Sequence, residues 1–288
     1  MARGALLRRT ERALDEAGIS PRRRLGQNYV VDEELISCLV GAACLTGKET
    51  VLEIGAGTGN LTRPLAERAR KVIAVEKDRA AARYLAEILS ARINVEVVEG
   101  DILSMDLPRS DRVVSNLPYS ISTPVTFRLL KEGAFGLAVL TYQTEVAERL
   151  VAQPGTPGYS RLSVMVGLLA KTYPIRSFPP ESFYPKPMVG STVVAMERRG
   201  GEGLDTGSLE ATLKALFSQR RRVLKKALVA YAKISGADRA VAISSVRAEL
   251  LTKRVFEMTP EEFLEVDRCL RGAEAEGRGR GPSRSAER

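Results

Sequence analysis

Apolar positions follow two periods along the first two thirds of the chain. Short apolar runs at 51–54, 72–75, 94–98, 112–115 and 137–141 have the length of buried parallel strands. Helical spacing fills the intervals: Leu61, Leu65 and Ala66; a segment opening at Asp78; one opening at Ser122 with Pro124 in its first turn; Val146, Ala147 and Leu150; and 162–169. Two further strands, 173–178 and 192–196, flank a proline-rich turn. Ahead of them Leu6, Leu7, Thr10, Ala13, Leu14 and Ala17 share one helical face, stopped by Gly18 and Pro21. Asp32 is placed to cap a second helix that turns Leu35, Ile36, Leu39, Val40 and Ala43 inward. Seven strands in this alternation predict an α/β fold, a Rossmann-like open sheet closed by a hairpin.

The pattern changes near Gly200. A glycine-rich, charged linker at 198–207 precedes purely helical spacing through Leu209, Leu213, Leu216, Phe217, Val223, Leu224, Ala227 and Leu228, then 241–251 and 260–270. The predicted organisation is a first domain at 1–200 with a helical N-terminal arm, a small all-helical domain at 201–271, and a Gly/Arg/Ser/Glu-rich tail at 272–288 expected to be disordered. There is no internal repeat.

Composition narrows the function. The 288 residues carry a net charge of +9, which favours an anionic partner, nucleic acid before membrane. No apolar run reaches membrane-spanning length, and the basic N-terminus has no signal-peptide core, so a cytoplasmic protein is expected. Three cysteines without metal-binding spacing and no histidine argue against zinc or any other metal site, and exclude an imidazole base.

Four predicted strands end in polar, acidic or glycine residues: Glu53 before Gly55, Gly57 and Gly59; Glu76; Glu99 before Gly100 and Asp101; and Asn116 before Leu117, Pro118 and Tyr119. Strand ends of this kind line a nucleoside site at one sheet edge. NAD and S-adenosylmethionine both fit so far. The dinucleotide fingerprint needs a third glycine where Asn60 follows Gly59, and no Gly-x-Gly-x-x-Gly can be drawn. S-adenosylmethionine has no phosphate, and Glu76 and Asp101 can accept from its ribose and its adenine amine. At Asn116-Leu117-Pro118-Tyr119 the side-chain oxygen of Asn116 and the Leu117 or Pro118 carbonyl can accept both N–H groups of an exocyclic aromatic amine. That frees the nitrogen lone pair for attack. Pro118 fixes the turn, and Tyr119 offers a ring on which a base can stack.

These residues resemble the ribosomal RNA adenine N6,N6-dimethyltransferase family, the KsgA type acting on small-subunit rRNA, from Arg24 to about Leu270. Residues 25–29 resemble its cofactor-closing motif and 53–62 its glycine motif. Gly100-Asp101 resembles the adenine motif and 116–119 the catalytic motif. Gln143, 145–147, Arg149, 159–164, 183–191, 217–222 and Lys253-Arg254 also correspond. The resemblance implies a methyltransferase sheet with cofactor against Asn28, Val30, Gly55, Gly57, Glu76, Asp101 and Asn116. It implies a target adenine between Tyr119 and Phe183. The implied activity is dimethylation of two adjacent adenines in ribosome biogenesis, by a monomer acting on small-subunit rRNA or a pre-ribosomal small subunit. Met188 and Gly190 depart from the family pattern, and the N-terminal arm and the tail lie outside it. Arg22, Arg23, Arg24, Arg220, Arg221 and Arg222 are candidate phosphate contacts. The rival readings are a large-subunit rRNA methyltransferase of the antibiotic-resistance kind, an RNA-binding assembly factor with an idle cofactor pocket, and a dehydrogenase.

Overall fold

The computed structural model describes residues 2–21, 27–133, 135–200, 204–236 and 238–279. Helix α1 (Ala2–Glu16) leads through Gly18, whose φ of +65° suits a helix stop, toward a two-residue strand β1 (Tyr29–Val30). Helix α2 (Glu33–Ala42) starts where Asp32 accepts the Glu34 N–H at 3.0 Å, the predicted cap. There follow β2 (Thr50–Ile54), α3 (Thr62–Ala66), β3 (Lys71–Glu76), α4 (Arg79–Ile88), β4 (Val95–Glu99), β5 (Arg112–Asn116), α5 (Ser122–Glu132) and β6 (Leu137–Gln143). Then come α6 (Thr144–Leu150), α7 (Arg161–Leu169), β7 (Ala170–Phe178), β8 (Phe183–Tyr184) and β9 (Ser191–Arg198). The remaining helices are α8 (Thr206–Phe217), α9 (Leu224–Ser235), α10 (Arg239–Ser244), α11 (Ala248–Thr252) and α12 (Pro260–Gly279).

Seven strands form one sheet in the order β4-β3-β2-β5-β6-β9-β7, parallel except for β9, which runs antiparallel to both neighbours. The central strands read as unbroken apolar runs because helices cover them. Val51, Val72, Val114 and Val139 pack with Leu35 and Leu39 of α2 and Leu65 of α3, while Ala74 packs with Leu85 of α4. The chain leaves β2 in one direction through β3 and β4 and returns to β5, so the strand order reverses at β2. Ligands of doubly wound sheets bind at that point. The β2–β5 ladder covers only Val51–Leu52 against Arg112–Val113. Beyond it the Ser115 hydroxyl donates to Ile54 O at 2.5 Å, and the strand ends part.

Three features were not read from the pattern. β1 pairs antiparallel with β8, Tyr29 opposite Tyr184 and Val30 opposite Phe183; two residues are too short for a periodicity to register. The helix after the glycines begins at Thr62 and spans only five residues. Helix α12 continues through Gly272 to Gly279, where a disordered tail was expected; residues 280–288 lie outside the described ones.

The chain divides into two compact units, Met1–Val151 with Leu169–Gly200, and Ala152–Leu168 with Gly201–Arg288. A boundary at residue 200 therefore leaves 152–168 on the wrong side. Tyr159 is the reason: buried in the helical unit, it donates to Met258 O at 2.9 Å, and its ring lies 6.1 Å from that of Phe217. Phe217 in turn stacks on Phe263 at 5.3 Å.

Candidate active site

A cavity of about 410 Å³ opens in the sheet unit at the ends of β2, β3 and β5. Its lining includes Asn28, Val30, Gly55, Gly57, Glu76, Asp101, Asn116 and Pro118, eight of the residues predicted for the site.

The three glycines of the turn all have positive φ, +74°, +55° and +76°. Each also admits a neighbour. A Cβ on Gly55 would meet Pro118 at 3.1 Å, one on Gly57 the Tyr29 ring at 2.8 Å, and one on Gly59 the Leu85 side chain at 2.6 Å. The alternation of glycines thus lets the turn nest among β1, the catalytic-motif segment and α4 as well as clear room for a ligand.

Asn116, the last residue of β5, donates from Nδ2 to the Asn28 carbonyl at 2.7 Å. A carbonyl can only accept, so this bond fixes which end of the amide is nitrogen. The other end, Oδ1, is buried without a partner. A buried acceptor of this kind costs free energy unless something arrives to donate to it. The Pro118 carbonyl accepts the Ile121 N–H at 3.0 Å and keeps a second lone pair, so both it and the Leu117 carbonyl can serve as the second acceptor at this turn.

Tyr119 and Phe183 come together, but edge to face, with centroids 6.3 Å apart and planes at 70°. Phe183 is 3% exposed, and the Tyr119 hydroxyl shares a 2.5 Å hydrogen bond with Ser191. Burial pushes the Tyr119 phenol up to about 12, so it stays protonated. A base stacked between these rings would have to part them and turn one.

The carboxylates decide what the cavity can hold. Glu76 accepts the Gly57 N–H at 2.9 Å with one oxygen and the Asp78 N–H at 2.8 Å with the other, which leaves further lone pairs on both. Its burial raises its pKa, opposed by those backbone donors. Asp101 accepts Lys77 Nζ at 2.8 Å and the Leu103 N–H at 3.0 Å; the lysine holds it below the usual carboxylate range. Glu53 is 2% exposed and its pKa rises to about 8 through burial, with the Glu76 charge adding to it. Glu76, Asp78 and Asp101, beside a Glu53 that burial keeps largely protonated near neutral pH, face one cation, Lys77, among the described residues of the lining, and Lys77 is paired. A pyrophosphate would meet repulsion here. A nucleoside bearing a sulfonium and an ammonium against one carboxylate fits, with ribose hydroxyls for Glu76 to accept.

Of the basic candidates, Arg22, Arg23 and Arg24 lie outside the described residues. Arg220 is committed internally: Nη2 donates to Thr156 O at 3.1 Å and Pro157 O at 2.8 Å, and the guanidinium lies 5.6 Å over the Phe256 ring. Arg221 and Arg222 are exposed, as are Lys225 and Lys226. Among the described residues no helix is long and apolar enough to cross a membrane, and no group of three or more His, Cys, Asp or Glu is placed to hold a metal ion.

The sequence placed Glu53 and Asn60 in the glycine motif and Ser191 in the proline-rich motif but gave none of the three a specific contact. The first two line the cavity, and the third anchors Tyr119. Glu53 was legible as a charge inside an apolar strand. The contacts of Asn60 and Ser191 carried no signal, because their partners lie in distant segments.

Comparison with known proteins accords with this geometry. Residues 18–264 match the family described as ribosomal RNA adenine dimethylase. A relative from Methanosphaera stadtmanae, named "Probable ribosomal RNA small subunit methyltransferase A", is 40% identical over 272 residues, 91% of this chain and 98% of its own. One of the same name from Methanothermobacter thermautotrophicus is 43% identical over 259 residues, 89% of this chain and 93% of its own. Among solved structures, a dimethyladenosine transferase from Plasmodium falciparum aligns with TM-score 0.75 and 26% identity, covering 85% of this chain and 98% of its own. The 23S rRNA methyltransferase ErmE aligns with TM-score 0.61 and 27% identity, covering 85% and 100%. With its glycine turn, its carboxylate-rich cavity and its asparagine at the end of β5, the chain belongs to the ribosomal RNA adenine dimethylase family.

Proposed function

We propose that the protein dimethylates N6 of adenines in small-subunit rRNA, two adjacent adenines in turn, with S-adenosylmethionine as donor. The reading is carried by Asn116, whose Oδ1 is buried and unpartnered beside a cavity fitted to a cationic nucleoside. When bound, the cofactor supplies an electrophilic methyl group. Asn28 holds the amide by its nitrogen so that Oδ1 accepts one N6–H, and the Leu117 or Pro118 carbonyl accepts the other. In the first transfer, drawing both hydrogens out of the ring plane makes the nitrogen pyramidal and points its lone pair at the methyl; in the second, the one remaining N–H is held by one of the two acceptors. The methylated nitrogen is strongly acidic and releases its proton to water, consistent with a chain that has no histidine. Tyr119 and Phe183 receive the base by opening their edge-to-face contact, a rearrangement suited to an unpaired or extruded nucleotide. Arg221 and Arg222 contact phosphates.

The small-subunit assignment is supported by relatives about 40% identical that carry that name, against 27% identity to a 23S rRNA methyltransferase. The test is labelled methyl transfer to purified small and large subunits in parallel, with an Asn116→Ala control. Transfer to small subunits alone is expected. The control should fall by about 10³-fold, the cost of removing one well-placed acceptor of transition-state charge, while its cofactor affinity weakens much less. Transfer to large subunits, or an active Asn116→Ala, overturns the reading.

A further inference from the structure

The family match begins at residue 18, so helix α1 lies outside it. The helix nonetheless reaches the cavity wall through two polar side chains. Thr10 is 0% exposed, and its hydroxyl donates to Leu6 O at 2.9 Å one turn back, which turns its lone pairs toward Asn60. Asn60 donates from Nδ2 to Thr10 Oγ1 at 2.7 Å and to Val30 O at 2.9 Å, and its Oδ1 accepts Arg9 Nη2 at 3.1 Å. Two of these three partners belong to α1. The third is the carbonyl of Val30 in β1, two residues after the Asn28 carbonyl that orients Asn116. Asn60 and Asn116 therefore grip the same three residues from opposite ends.

Packing alone does not account for this. Leu6, Ala13 and Leu14 already bury an apolar face of α1. Threonine and arginine beside it carry polar groups whose desolvation is unfavourable unless they are bonded. The Arg9 charge is disfavoured by burial and then by the neighbouring Arg63. Such a grouping is useful when orientation matters more than cohesion.

We propose that α1 is a positioning element for the site: Thr10 and Arg9 fix the Asn60 amide, Asn60 fixes β1, and Asn28, the residue before β1, holds Asn116 by its amide nitrogen. The inference rests on the methyl-transfer reading for its catalytic consequence. Its structural part, coupling of α1 to residues 28–30, does not.

The experiment uses the full chain. Thr10→Val removes the hydroxyl at nearly constant shape, and Thr10→Ser restores it; Arg9→Met serves as a second probe should Thr10→Val fail to fold. Three readouts are taken: turnover, calorimetric affinity for S-adenosylhomocysteine, and amide hydrogen exchange of residues 29–31 in cofactor-free protein. Losing one buried hydrogen bond should slow turnover and speed exchange at 29–31 by about tenfold in Thr10→Val. Thr10→Ser should return both to near wild type. Arg9→Met should move both in the same direction by a smaller factor. A helix that merely stabilises would lower the melting temperature while leaving turnover and local exchange unchanged below it; that result, or a loss that serine does not rescue, overturns the proposal. Failure of the wild type to bind S-adenosylhomocysteine would instead count against the methyl-transfer reading, and exchange at 29–31 would still decide whether α1 holds β1.

Discussion

Two buried polar residues, one in each unit of this protein, are treated in opposite ways. In the helical unit Asp267 is fully buried and its oxygens are taken: Oδ1 accepts Ser208 and Thr212 hydroxyls, each at 2.8 Å, and Oδ2 accepts Arg271 Nε at 3.2 Å. In the sheet unit the cavity leaves Asn116 Oδ1 and Glu53 Oε2 buried with no partner. A group that only holds a fold together is satisfied within the fold, since an unmade bond is lost stability. A group kept for a ligand stays unsatisfied until the ligand comes. The same contrast appears within the cavity wall, where Asn60 has bonds on both ends of its amide and Asn116 on one.

The contrast can be broken by experiment. Asp267→Ala should give the largest change in stability, a loss of about 2–4 kcal/mol on denaturant unfolding, because two hydroxyls and a guanidinium lose their shared acceptor. A loss near zero would mean that satisfied bonding in the helical unit contributes little, and the comparison would fail on that side.

Glu53→Gln tests the other side. The Glu53 pKa rises from 4.5 to about 8 on burial, so between those values the folded protein keeps a proton that the unfolded chain has released. Wild-type stability gained from Glu53 is therefore present at pH 4.5 and below and is lost as pH rises through about 8. Melting temperatures across this window should decline less steeply in Glu53→Gln, which has no proton to lose. If Glu53 were instead held as an anion by donors, the sign would reverse and the wild type would weaken toward acid.

The smallest effects belong to the arginines. Arg221→Ala and Arg222→Ala should each reduce the log–log salt slope of RNA binding by about 0.7–0.9 and leave folding intact. Arg220→Ala should lower the melting temperature with little change in slope, since its guanidinium bonds the Thr156 and Pro157 carbonyls. Equal slopes for all three would erase the distinction between the internal and the exposed arginines.

Much of this was legible in the chain. Strand β2, the glycines after it, Glu76, Asp101 and Asn116 were readable because parallel strands covered on both faces leave solid apolar runs, and their ends leave polar breaks. Caps such as Asp32 and Asp78 were readable because capping is local, within two or three residues. The family resemblance supplied Asn28, Val30 and Phe183, which no periodicity marks.

The tertiary structure decided the rest. That Gly57 must lack a side chain for the sake of Tyr29, that Tyr159 carries 152–168 into the helical unit, and that Arg220 is spent on carbonyls while Arg221 is not, all depend on partners far away in sequence. The link from α1 to Asn60 spans 50 residues and the link from Asn28 to Asn116 spans 88. Local pattern reports burial and backbone conformation, because both repeat with the turn of a helix or the pleat of a strand. Which polar atom is left without a partner does not repeat, and only the folded chain, by bringing distant donors and acceptors together, determines it.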